Sequence, residues 1–272
     1  MNLEGIMNFN IRTFYFALLM LLLCGPIKAQ RANSPYKDGE SLTYVINYRW
    51  GSVNTDVGEA VTSLTYNNGI FHSIIKGRTY KFYDVFFKVR EHFESKFYEY
   101  PMRPYYFYRD TYEGKYRMRN TFYFNNTDYN IKARIQRYED LPKDTILTGK
   151  EHTFDLVALF YNVRNINFEA TPIGVKQPIS FAIDDDVFNF YYVYEGKEIK
   201  KISGIGTFRT LKFAVKLVSC SFFTGNEEMV VWVTDDNNKI PLLFESPILV
   251  GKVSGRLSKW VNLKYSLTSK IK

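Results

Sequence analysis

The chain has 272 residues, of which 46% are hydrophobic, 36 are basic, 28 are acidic and two are cysteines, for a formal net charge of +8. That length suits a single large β domain, which can run to roughly 250 residues, and the cysteine count excludes a disulfide-dense scaffold.

The first element is a leader. Thr13 to Cys24 is an unbroken apolar run behind Arg12, broken by Gly25-Pro26 and followed by Ala29 before Gln30. A charged start, a short apolar core and a small-residue exit predict a secretory signal peptide over 1–29 and a mature domain over 30–272. The run is shorter than the roughly 20 residues a spanning helix needs, and no later stretch qualifies either. Leucines at 21–23 occupy the place where a lipidation signal wants small residues, so ordinary cleavage near Ala29 is expected rather than lipid on Cys24. Removal of Glu4, Arg12 and Lys28 with the leader lowers the net charge to about +7. Cys220 would then stand alone, a small buried residue without a disulfide partner.

Strand periodicity dominates the mature region. Leu42, Tyr44, Ile46, Tyr48 and Trp50 alternate with polar residues, as do Phe87, Val89, Phe93 and Phe97 with Lys88, Arg90, His92, Glu94 and Lys96. Each pattern predicts a strand with one wet face. Asn67-Asn68-Gly69 predicts a tight hairpin, because Asn-Gly tolerates positive φ. Glu113-Gly114, Asn125 to Asp128, Glu195-Gly196, Gly225-Asn226 and Asp235 to Asn238 read as further tips. Pro101, Pro104, Pro142, Pro172 and Pro178 mark edges and connections. About a dozen strands or slightly more are expected. Thr153 to Arg164 alone carries a helix-like stripe (Phe154, Val157, Phe160, Tyr161, Val163), with Thr153 as its expected cap. The fold expected is mainly β, a single-domain curved antiparallel sheet or barrel with one short packed helix.

Several blocks resemble a known family. They are Gly39-Glu40 with Leu42-Thr43-Tyr44 and Tyr48 to Gly51, Gly77-Arg78-Thr79 with Tyr83-Asp84, Phe87 to Arg90 and Phe93-Glu94-Ser95, and Glu113 to Tyr116. Asp155 to Tyr161 with Arg164, Val231 to Asp236, and Lys239-Ile240-Pro241 continue in order. Together they are similar to the exported bacterial proteins of domain-of-unknown-function family 3108, over nearly the whole mature chain. Glu91 stands where that pattern carries aspartate. The resemblance implies export and a β fold, and it brings no catalytic residues with it.

Motifs for chemistry are sparse. His72, His92 and His152 form no metal-type pair, and no Gly-x-Ser-x-Gly elbow is present. Gly204-Ile205-Gly206 lacks the third glycine of a phosphate loop and reads as a bulge or flexible point. Asp184-Asp185-Asp186 and Asp235-Asp236-Asn237-Asn238 have oxygens suited to a hard cation, yet Asp and Asn also build ordinary turns, and turns are the expectation. No cofactor and no metal site is therefore expected.

The sharpest feature is cationic. With Asn126-Thr127 as a two-residue hairpin, Arg119 would face Arg134 and Thr121 would face Lys132, with Arg117 on the same face. Like charges opposite one another destabilise a sheet, so Arg117, Arg119, Lys132 and Arg134 call for an anion. It is either carboxylates from elsewhere in the fold or an external anionic lipid or glycan. Nucleic acid is not expected for an exported chain. The leading function is a non-enzymatic envelope binding, carrier or assembly protein for a lipid, acyl or glycan ligand. The alternative is an envelope glycan hydrolase using paired carboxylates, with Asp84, Glu91, Glu94, Asp235 and Asp236 as candidates.

Overall fold

The computed structural model describes residues 34–216, 228–248 and 251–272. The expected leader, and the segment holding Cys220 and Gly225-Asn226, lie outside the described residues. The strands are β1 (Ser41–Trp50), β2 (Val53–Asn67), β3 (Ile70–Thr79), β4 (Val89–Tyr98), β5 (Pro104–Glu113), β6 (Tyr116–Phe124), β7 (Asn130–Arg137) and β8 (Lys143–Thr148). After them come β9 (Thr153–Phe154), α1 (Leu156–Asn165), β10 (Lys176–Ile183), β11 (Asp186–Ile202), β12 (Gly206–Lys216), β13 (Glu228–Thr234), β14 (Pro241–Pro247) and β15 (Lys252–Val261). A 3-10 turn, Tyr83–Val85, lies between β3 and β4.

Among the described residues, the fifteen strands form one sheet in the order β8 back to β1, then β15 back to β9. Every neighbouring pair is antiparallel except β9 and β10. The order forces curvature. β8 and β9 stand at opposite ends of the sheet, yet only Gly149 to His152 connect them. A flat sheet of this width would hold its ends roughly 65 Å apart at about 4.8 Å per strand. Extended chain from Thr148 to Thr153 reaches no more than about 18 Å. The sheet therefore curls until its two ends nearly meet.

α1 lies against the inner face. Val157, Ala158 and Tyr161 pack on Phe71, Phe97, Phe107, Phe122 and Ile131, and all of them are buried. Two smaller clusters continue the core: one around Leu42, Tyr44, Phe208 and Leu257, the other around Phe168, Phe213 and Val233. The helix is shorter than its stripe. Thr153-Phe154 pairs with β10, and Asp155 takes the cap, its Oδ1 accepting the Ala158 N–H at 2.8 Å. Thr153 instead shares a hydrogen bond with Ser180 at 2.7 Å, which holds it in the sheet.

The Asn67 hairpin forms as expected, with Asn68 and Gly69 both at positive φ (48° and 83°). Glu195-Gly196 is not a tip. It sits inside β11 as a bulge, where the register with β12 shifts and Gly196 takes φ 102°. Trp50 is 59% exposed rather than inward, and a register shift after Ile46 separates it from the buried half of β1. Gly204 and Gly206 turn the chain from β11 into β12.

Candidate functional site

Alternation puts Glu91, Phe93, Ser95 and Phe97 of β4 on the helix-covered face, and Arg109 and Thr111 follow Phe107 there on β5. Near α1 that face is apolar; toward the other end of the strands it turns polar. Arg109 is 3% exposed, with Thr111 and Asn120 buried beside it. Its Nε donates to Thr111 Oγ1 at 2.6 Å, and that hydroxyl donates to Glu91 Oε2 at 2.6 Å. Arg109 Nη1 reaches Asp184 Oδ1 at 2.6 Å, and Asn120 Nδ2 donates to the Asp184 carbonyl at 2.9 Å. Asp184 sits at φ 55° in the β10–β11 turn, so this far half of the sheet is drawn across to β5 and β6. Arg137 Nη2 to Asp185 Oδ2, at 2.8 Å, adds a second tie.

Two side-chain oxygens in this network are buried without a hydrogen-bond partner, Glu91 Oε1 and Asn120 Oδ1. Burial, with the Glu113 carboxyl beside it, pushes the Glu91 carboxyl up to about 8, against the pull of Thr111 and Arg109. Glu91 is therefore largely protonated at neutral pH, and its buried Oε1 can donate to a ligand.

A second buried network fixes the helix. Arg164 and Glu40 are both fully buried and bonded twice, at 2.5 and 3.0 Å. Arg164 also donates to the Asn238 carbonyl at 2.9 Å and the Pro35 carbonyl at 3.3 Å, and stacks at 5.2 Å over Tyr36. At the other end of α1, Ser95 donates to Asp155 Oδ2 at 2.7 Å, and burial pushes the Asp155 carboxyl up to about 7. Sequence reasoning missed both networks. The signal available was a charged residue, Arg109, falling in the apolar parity of its strand.

The basic residues lie elsewhere. Arg117, Arg119, Lys132 and Arg134 do share a face, the one opposite the helix, but their register needs correction: Arg119 pairs with Gln136, Thr121 with Arg134 and Tyr123 with Lys132. The turn is longer than two residues because Asn125 Oδ1 and Asp128 Oδ1 each capture a backbone N–H two residues on, at 2.9 and 3.0 Å. A shift of two residues keeps the face and moves the partners. Arg119 lies 3.4 Å from Asp110, Arg117 3.5 Å from Glu139 and Arg134 3.8 Å from Asp144, all of them partly or well exposed.

Four of the five carboxylates considered for hydrolysis are dispersed. Asp84 bonds Arg90 at 2.5 Å, Glu94 lies on the outer face 2.9 Å from His72, and Asp235 pairs with Lys197 at 3.0 Å. Asp236 ties a turn, accepting from Thr234, the Asn238 N–H and Ser269. Glu91 alone reaches the inner face, where its neighbour is Glu113. Of the other histidines, His92 rests against the Tyr108 ring and the His152 carbonyl accepts from Ser180. A polar cleft of about 580 Å3 opens among Asn47, Asn54, Thr55, Asp56, Ser203 and Arg256. Its charges are matched, with Arg256 bonded to Asp56 at 2.7 and 2.6 Å.

Among solved structures, the chain is similar to a β-barrel-like protein of domain of unknown function DUF1849 from Brucella abortus. The match has a TM-score of 0.57 at 9% identity and covers 85% of this chain and all (100%) of that one. A protein with YmcC-like fold from Bacteroides fragilis matches at TM-score 0.38 and 7% identity, over 84% of this chain and 98% of that one. The lipoprotein LppX of Mycobacterium tuberculosis matches at 0.22 and 12%, over 86% and 92%. The first of these supports the barrel-like fold. None of the curated proteins compared matches. The model of a family described as "protein of unknown function (DUF3108)" matches residues 43–258, and the chain belongs to that family.

Proposed function

We propose that this is an exported, non-enzymatic binding or carrier protein of the cell envelope, cleaved near Ala29, whose ligand is a lipid, acyl compound or glycan. The observation that carries the reading is the polar end of the inner face. Proteins pair nearly all buried polar atoms, yet here Glu91 Oε1 and Asn120 Oδ1 wait beside Arg109 and Asp184. An orphan acceptor on Asn120 and a protonated carboxyl on Glu91 suit a ligand rich in hydroxyls, such as a glycan or a lipid headgroup, with the aromatic wall of Phe93 and Phe107 beside it.

Binding is favoured over hydrolysis by the spacing of the acids. The Glu91 and Glu113 carboxyls lie side by side, close enough for Glu113 to raise the Glu91 carboxyl. Glycoside hydrolysis instead needs its two carboxyls about 5 Å apart or more, to hold a sugar bond or a water between them. In this reading the outer basic strip of Arg117, Arg119, Lys132 and Arg134 contacts the anionic part of a lipid or glycan partner.

Native mass spectrometry of protein purified from its own envelope tests the proposal. A bound lipid or glycan is expected, retained by wild type and lost from Asn120→Leu. Protein that flies ligand-free under conditions preserving non-covalent complexes, or one that cleaves glycan substrates, would overturn it.

A further inference from the structure

The connection from β3 to β4 holds four large apolar side chains out in water. Phe82 is 70% exposed, Val85 83%, Phe86 76% and Phe87 55%. They are adjacent, with Phe82 and Phe86 ring centroids 6.0 Å apart. Folded chains seldom leave such a patch uncovered without a use for it.

The segment is also anchored. Tyr83 and Thr55 hydroxyls meet at 2.5 Å, and Asp84 accepts from Thr79 at 2.5 Å and from Arg90 at 2.9 and 2.5 Å. Phe87 packs so closely on Gly114 that a Cβ there would meet its ring at 2.7 Å. The apolar tip is thus presented by a 3-10 turn tied to β2, β3, β4 and the β5–β6 turn. Strand register places the β1–β2 turn, with Trp50 59% and Val53 46% exposed, at this same end of the ladder.

Charge selects the occupant. Lys81 and Lys88 flank the tip, and the acid between them, Asp84, is matched by Arg90. Aromatic and aliphatic side chains between cations fit the boundary of a bilayer, where rings enter the interface and ammonium groups meet lipid phosphates. We infer that Phe82, Val85, Phe86 and Phe87 form a tip that docks the protein on an anionic bilayer surface. This does not depend on a ligand in the inner polar site.

The test is co-sedimentation of the purified mature protein with vesicles of phosphatidylethanolamine and phosphatidylglycerol, and with neutral phosphatidylcholine vesicles. Wild type is expected to bind the anionic vesicles, and Phe82→Ser with Phe86→Ser to weaken that binding at least tenfold with an unchanged circular dichroism melt. Lys81→Gln with Lys88→Gln should weaken it severalfold, and by more than Arg119→Gln with Arg134→Gln does. Binding lost only in the last pair would overturn the inference and move the lipid surface to the outer strip. Equally damaging would be wild type that ignores vesicles but forms a dimer in light scattering that the Phe82/Phe86 pair dissolves. A tip variant that binds like wild type would also reject it.

Discussion

The Arg164–Glu40 pair offers the clearest numerical test. Both side chains are at 0% exposure, so their charges have no water to fall back on. Glu40→Gln preserves the shape and removes the counter-charge. Breaking a buried pair by removing one partner costs about 3–5 kcal/mol. The carbonyls of Asn238 and Pro35 and the Tyr36 ring still face the guanidinium. They hold the expected loss near the lower end, about 3 kcal/mol. In a domain of this size each kcal/mol moves the midpoint by about 2–4 °C, so a fall of about 6–12 °C is expected. Glu40→Met with Arg164→Met removes both charges and should recover most of that loss, because a buried pair and an apolar replacement of similar volume often balance. Urea melts of Glu40→Met, Arg164→Met and the double variant give the coupling, expected at about 5 kcal/mol when each single costs about 3 kcal/mol and the double about 1 kcal/mol. A Glu40→Gln cost below about 1 kcal/mol, or additive singles, would refute the argument that this pair is what locks α1 to the start of β1.

The raised carboxyls should leave a pH signature. Glu91 and Asp155 are pushed up to about 8 and about 7, so the folded chain keeps protons that the unfolded chain releases near pH 4 to 4.5. Stability should then fall as pH rises from about 5 to about 8. Glu91→Gln should flatten part of that slope in thermal melts, and an unchanged slope would remove Glu91 as a cause. For the outer strip, Arg119→Gln with Arg134→Gln should leave stability within about 0.5 kcal/mol of wild type, since exposed pairs contribute little, and should weaken binding of an acidic glycan. A lowered melt with unchanged glycan binding would assign the strip to internal charge balance. Finally, N-terminal sequencing of exported protein should begin near Gln30, and Cys220→Ser should leave folding and ligand retention unchanged; a lipid on Cys24 or a loss of ligand would contradict these two expectations.

The strands were legible because each carries its own alternation. β4 shows Phe93 and Phe97 against His92, Glu94 and Lys96, and the structure keeps that division. Turns were legible where backbone conformation dictated the residue, as at Asn68-Gly69. They were misread where side chains rewrote the loop, as Asn125 and Asp128 do after β6. The inner networks were hidden because their members are far apart in sequence. Arg109 and Asp184 are 75 residues apart, and Glu40 and Arg164 are 124 apart. No local pattern encodes such a pairing. The family-like blocks take on a physical meaning once folded: Glu40, Ser95, Asp155, Arg164 and Asp236 join one element to another.

Among the described residues no ladder joins β8 to β9, so the curled sheet keeps two free edges. A free edge invites a neighbouring chain to add a strand. Here both edges are poor templates. β8 begins with Lys143-Asp144 directly after Pro142, which cannot donate to a ladder. β9 is two residues long and runs straight into α1. Edge-to-edge growth into fibres is thereby resisted at both sides without closing the barrel. Replacing Pro142, Lys143 and Asp144 with Thr or Val would extend a flat, uncharged edge on β8, and self-association should begin there before the core is disturbed at all.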